Sequence, residues 1–126
     1  MTAQVLVVED TPANMKLITM LLRKAGHEVL QASNADEAIA LARAHRPSLV
    51  LMDIQLPGMD GLAATRILKE NESTRGICVV ALTALAMRGD EQRMIAAGCD
   101  GYIAKPIQYK SFLDEVGRRL AGVAPP

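Results

Sequence analysis

Five residues carry most of the chemistry this sequence offers: the adjacent Glu9 and Asp10, then Asp53, Thr83 and Lys105. Three carboxylates, a hydroxyl and an ammonium form a capable set if folding gathers them. Carboxylates held close together repel and raise a pKa, and a cation relieves that repulsion. Oxygen-only ligands select a hard ion, and one or two carboxylates with waters and a phosphate suit Mg²⁺, or Mn²⁺. With no His or Cys beside these residues, zinc is not expected. An aspartate next to such a cation can attack phosphorus and form an aspartyl-phosphate. Lys105 would then neutralise one phosphoryl oxygen and the Thr83 hydroxyl would donate to another. Catalysis of that kind is positioning plus charge stabilisation.

The chain around these residues has the pattern needed to gather them. Gln4–Val8 is a short apolar β-branched run; Glu28–Ala32 is a weaker strand candidate, and Ser48–Met52, Ile77–Leu82 and Gly101–Ala104 are further ones. Amphipathic helical segments lie between them. Thr11 and Pro12 suit the cap and first position of a helix that carries Met15, Ile18, Leu22 and Ala25 and stops at Gly26. Ser33 or Asn34 caps a second helix, with Ala38, Leu41 and Ala42 inward. A third runs from about Gly61 to Glu70, with Leu62, Thr65, Arg66 and Lys69 at helical spacing. The fourth spans Ala86–Ala97 and the fifth Tyr109–Leu120. Five apolar strands alternating with five helices predict an α/β, doubly wound parallel sheet, covered on both faces, in the order 2-1-3-4-5. Sites in such sheets lie beyond the carboxyl ends of the strands, where strands 1 and 3 neighbour each other. Glu9-Asp10, Asp53, Thr83 and Lys105 stand at four of those five ends.

Bulk properties exclude other classes. The 126 residues fit one domain, residues 1–121, followed by a tail at 122–126. Fourteen basic and fourteen acidic residues cancel, which argues against a nucleic-acid binder. The N-terminus has no signal-peptide pattern and no stretch approaches the length of a membrane span. A cytoplasmic location follows as the expectation. Cys78 and Cys99 read as reduced, buried small hydrophobes.

The motifs VLVVEDTPAN, LVLMDIQLPGMDG, VVALTA and GCDGYIAKPI occur in that order over nearly the whole chain. Together they resemble the response-regulator receiver domains, the CheY-like family, and within it the single-domain regulators of the DivK type. Receiver modules of hybrid histidine kinases are similar too. The resemblance implies a flavodoxin/CheY-like (βα)₅ fold and a two-component signalling role. It implies that Asp53 is the phosphoacceptor, served by a histidine kinase or histidine phosphotransfer protein. Glu9, Asp10 and Asp53 would hold Mg²⁺, with the backbone carbonyl of Gln55 completing the protein ligands. Thr83 would be the switch hydroxyl, Lys105 the phosphate-pairing lysine, Tyr102 the aromatic switch residue, and the Lys105-Pro106 bond would be cis. A downstream protein partner would bind the helix 4–strand 5–helix 5 face, including Met87, Arg88, Tyr102, Ile107, Tyr109 and Phe112. The protein would be a monomer or a weak phosphorylation-dependent dimer. It would catalyse only its own phosphorylation and dephosphorylation. Thr11 departs from the family, where Asp or Asn is common, and Gln55 and Leu85 sit where the phosphoryl lifetime is tuned.

Other readings fit less well. A receiver excised from a hybrid kinase or a multidomain regulator shares every motif. A flavodoxin-type cofactor binder needs a hydroxyl- and Gly-rich loop after the first strand, where this chain has Glu9-Asp10. An aspartate phosphatase needs an acid two residues after its nucleophile, where this chain has Gln55.

Overall fold

Strands with aliphatic side chains on both faces require cover on both faces, and helices packed on each side of a parallel sheet provide it. The computed structural model describes residues 3–84 and 88–121. In it β1 (Gln4–Val8), β2 (Glu28–Ala32), β3 (Leu49–Asp53), β4 (Cys78–Thr83) and β5 (Gly101–Ala104) alternate with five helices. The helices are α1 (Pro12–Lys24), α2 (Ala35–His45), α3 (Gly61–Glu70), α4 (Arg88–Ala97) and α5 (Tyr109–Leu120). All four pairings are parallel and the order is β2-β1-β3-β4-β5. The expected start of the fourth helix at Ala86 lies outside the described residues, as do Leu85, Met87 and the tail at 122–126.

Side chains alternate between two cores, as the strand period of two requires. Val5, Val7, Leu49, Leu51, Val80 and Leu82 pack with Ile18 and Leu22 of α1 and Phe112 and Val116 of α5. Leu6, Val8, Val50, Met52 and Val79 pack with Ala38 and Ala42 of α2 and Ala64 and Leu68 of α3. The central strands β1, β3 and β4 are buried except for Gln4 and Cys78 at their starts. The edge strands β2 and β5 each leave residues exposed, because each has a neighbour on one side only. On α3 the buried face is Leu62, Ala64, Thr65 and Leu68, while Arg66 is exposed.

Caps account for two of the helix starts. Asn34 Oδ1 accepts from the Glu37 amide at 2.9 Å, and Glu37 Oε1 accepts in return from the Ser33 amide and hydroxyl, a reciprocal capping box. Asp60 Oδ1 accepts from the Ala63 amide at 2.8 Å at the start of α3. Thr11 occupies the N-cap position of α1 but makes no side-chain cap bond, which corrects the expectation. Its amide donates to Glu9 Oε2 instead, at 3.1 Å. The cysteines also differ from the reading as buried residues. Both are only partly buried: Cys78 opens β4 and Cys99 precedes β5, each packed against the edge of a core. Burial still pushes both thiols above their ordinary pKa.

That amino edge is tied by Lys69. Its Nζ donates to the Ile77 carbonyl at 2.7 Å and to Asp100 Oδ2 at 3.0 Å, and the Val79 amide donates to the same Asp100 oxygen at 2.8 Å. One side chain thus joins α3 to the starts of β4 and β5. The half-exposed ion pair contributes little by itself, so the weight rests on the carbonyl bond. Lys69→Met is expected to destabilise the fold by about 1–2 kcal/mol in urea unfolding. A loss below about 0.3 kcal/mol would show that the tie contributes nothing.

Candidate functional site

The carboxyl ends of β1, β3, β4 and β5 deliver the site. Register sets this: Val8 pairs with Met52, Asp53 with Leu82, and Thr83 with Ala104. Backbone bonds extend the ladder past the strands, from the Ile54 amide to the Leu82 carbonyl at 3.2 Å and from the Lys105 amide to the Thr83 carbonyl at 2.7 Å. Glu9, Asp53 and Thr83 are buried, while Asp10 is exposed at the rim. Carboxylate oxygens of Glu9, Asp10 and Asp53 lie within 4.8 Å of one another.

Lys105 closes the cluster from β5. Its Nζ is 3.0 Å from Asp53 Oδ2 and 2.9 Å from Glu9 Oε1. The contact to Asp53 is a hydrogen bond. The contact to Glu9 is an ion pair. Asp53 Oδ1 accepts from the Gln55 amide at 2.9 Å. The Lys105-Pro106 peptide bond is cis.

These contacts split the two buried carboxyls. Burial pushes Asp53 up to about 6; the Gln55 amide and Lys105 pull it down, but the neighbouring Glu9 adds to the rise. Burial also raises Glu9, but contacts with Lys105 and Asp53 and the Thr11 amide outweigh it and hold Glu9 below its ordinary value. Burial lowers the Lys105 ammonium, and its two carboxylate partners reverse that and raise it.

A hard divalent cation fits this donor set. The three carboxylates are all-oxygen ligands whose oxygens lie close enough to share one ion. A cavity of about 270 Å³ opens beside the cluster, lined by Glu9, Asp10, Met15, Gln31 and Glu37 among others.

Two contributors were not legible in the sequence. The Thr11 and Gln55 amides fix Glu9 and Asp53, and backbone donors carry no residue-type signal. Tyr102 lies on β5 opposite Ala81 and is 39% exposed. Phe112, grouped in sequence with the helix 4–strand 5–helix 5 face, belongs instead to the core under α5, with 0% exposure. It falls on the inward stripe of a strongly amphipathic helix. The side chains of Met87 and Arg88 lie outside the described residues.

A parallel five-stranded sheet with an acidic cluster at its carboxyl edge defines a class, and sequence comparison agrees with it. Residues 5–117 match the response regulator receiver domain family, to which this chain belongs. The chain is 47% identical over 116 residues to the polar-differentiation response regulator DivK of Brucella anthropi, covering 92% of this chain and 94% of that one. DivK of Brucella melitensis matches to the same extent. Among solved structures, a receiver domain of a Pseudomonas aeruginosa sensor histidine kinase, with magnesium coordinated in its active-site cleft, superposes with a TM-score of 0.87 at 34% identity. That match covers 97% of this chain and 99% of the other. A CheY chemotaxis protein of Vibrio cholerae gives a TM-score of 0.89 at 25% identity, covering 94% and 98%. The protein is therefore a receiver domain of two-component signalling, similar to the DivK regulators. Among the described residues no helix is long and apolar enough to cross a membrane.

Proposed function

We propose that the protein is a phosphorylatable switch whose phosphoacceptor is Asp53. The observation that carries this is the convergence of Glu9, Asp10 and Asp53 around one point, with Lys105 Nζ bridging the two buried members. The phosphoryl group comes from a phosphohistidine of a histidine kinase or phosphotransfer protein. A carboxylate oxygen of Asp53 forms the new P–O bond as the P–N bond of the ring-protonated phosphohistidine breaks, and the imidazole leaves as the neutral base, keeping the ring proton it took from water. Glu9, Asp10, Asp53 and the Gln55 carbonyl are the ligands for Mg²⁺ (or Mn²⁺), which when bound neutralises phosphoryl oxygens. The Gln55 amide orients the Asp53 carboxylate. Lys105 is already beside Asp53 and pairs with the added charge. The Thr83 hydroxyl, at the adjoining strand end, serves another phosphoryl oxygen. Catalysis is confined to the protein's own phosphorylation and dephosphorylation, in the cytoplasm.

The readout runs to the face of α4, β5 and α5. Withdrawal of Thr83 toward the phosphoryl group makes room beside β5, and Tyr102 is placed to turn into it. A shallow groove of about 200 Å³, lined by Met94, Ile95 and Tyr102 among others, gives a downstream protein an apolar surface there. The test uses acetyl phosphate and Mg²⁺ with intact-mass detection. One acid-stable, hydroxylamine-labile phosphoryl group is expected per chain, and none in Asp53→Asn. Labelling of that variant at the parental rate would end this reading.

A further inference from the structure

Helix α3 begins directly against the backbone of the Asp53 turn. A Cβ on Gly61 would stand 2.1 Å from the Asp53 carbonyl oxygen, 2.7 Å from Ile54 Cα and 2.9 Å from the Asp53 carbonyl carbon. All three are backbone atoms, so no side chain can swing aside to make room. Gly61 φ is not in the left-handed region; what the position requires is closeness, not an unusual conformation. Other atoms draw the helix in. The Gly61 amide donates to the Ile54 carbonyl at 3.2 Å. The buried Thr65 hydroxyl donates to the Gly61 carbonyl at 2.8 Å and holds the first turn in place. The Asp60 cap fixes the chain one residue earlier.

The segment pressed by Gly61 is the one that sets the site. Asp53, Ile54 and Gln55 form a tight turn in which the Gln55 amide orients the Asp53 carboxylate. The Gln55 carbonyl, one of the metal ligands in the reading above, belongs to the same turn. A methyl at position 61 must open the α3–β3 contact by roughly 1 Å or more before ordinary van der Waals separation returns. The core of α3, through Ala64 and Leu68, lies farther along the helix and opposes any large tilt. The turn therefore takes much of the displacement.

We infer that Gly61 is a positioning residue for phosphoryl acceptance: its missing side chain lets α3 hold the Asp53–Gln55 turn where carboxylate and carbonyl share one cation. This rests on Asp53 being the phosphoacceptor.

The experiment compares Gly61→Ala with the parent and with Gly76→Ala, where a Cβ meets nothing within 4 Å. Thermal unfolding gives each variant's midpoint, and Mg²⁺ affinity, from amide shifts, and labelling by acetyl phosphate, from intact mass, are then read well below it. Gly61→Ala is expected to bind Mg²⁺ about tenfold more weakly and to label about a hundredfold more slowly at saturating Mg²⁺. Gly76→Ala should match the parent in both. A folded Gly61→Ala with parental Mg²⁺ affinity and labelling rate overturns the inference. If Gly61→Ala does not fold, Thr65→Val decides, because it releases the first turn without adding an atom at position 61. A few-fold loss in both readouts supports the inference, and parental values overturn it. A parent that takes up no phosphoryl group at Asp53 would instead refute the underlying reading.

Discussion

Asp53→Asn is expected to stabilise the metal-free protein by about 2–3 kcal/mol at pH 8 and to leave it nearly unchanged at pH 4. The Asp53 carboxyl sits at about 6 in the fold, against 3.8 ordinarily, chiefly because it is buried. Between those values the folded chain binds more protons than the unfolded one, so stability falls as pH rises from about 4 to about 6. A gap of that width, at about 1.36 kcal/mol per pH unit, amounts to about 3 kcal/mol above pH 6. Asparagine never ionises and avoids the penalty, while Lys105 keeps Glu9 as a partner at 2.9 Å. Saturating Mg²⁺ should shrink the difference, since the dication stabilises the ionised aspartate and not the amide. Urea unfolding at several pH values, with and without Mg²⁺, tests each part. Equal stability of parent and variant at pH 8 without metal would mean that burial of the Asp53 charge carries no cost.

Lys105→Met works in the opposite direction. It removes the cation beside two buried carboxyls and replaces it with an apolar chain of similar length. Stripping one partner from a buried charge pair commonly costs about 3–5 kcal/mol. Lys105 retains 17% exposure, so water screens part of the loss, and about 2–4 kcal/mol is expected at pH 8 without metal. The deficit should narrow toward pH 4–5, where Asp53 is protonated and like-charge repulsion with Glu9 disappears, and should narrow again with Mg²⁺ at pH 8. Labelling by acetyl phosphate should persist at a reduced rate, but beryllofluoride should no longer shift the amides of β5. A deficit that ignores both pH and Mg²⁺ would mark Lys105 as a packing residue rather than a counter-charge.

Much of this molecule is legible in its sequence. Aliphatic runs on a period of two, separated by capped amphipathic helices, have few ways to bury both faces, and the right-handed crossover rule selects among them. The same logic placed Glu9, Asp53, Thr83 and Lys105 at one edge, because strand ends are where a parallel sheet exposes polar residues. What escaped the sequence is backbone or distance. The Thr11 hydroxyl makes no cap bond, and its amide holds Glu9 Oε2 instead. Gly61 looks like any glycine after a turn until its separation from Asp53 is measured. Lys69 sits at helical spacing among α3 residues, and only the fold shows it reaching to β4 and Asp100. Phe112 lies in sequence among residues of the helix 4–strand 5–helix 5 face, while its spacing on α5 points inward.

The central strand has one further consequence. All five residues of β3 are buried, and Asp53 is the last of them. The strand is paired with β1 as far as Met52 and with β4 as far as Asp53, and α3 starts against its end. If Asp53 is the phosphoacceptor, charge added there would meet a strand end that pairs with β4 and is crowded by α3, and β4 leads directly to β5, an edge strand with a neighbour on one side only.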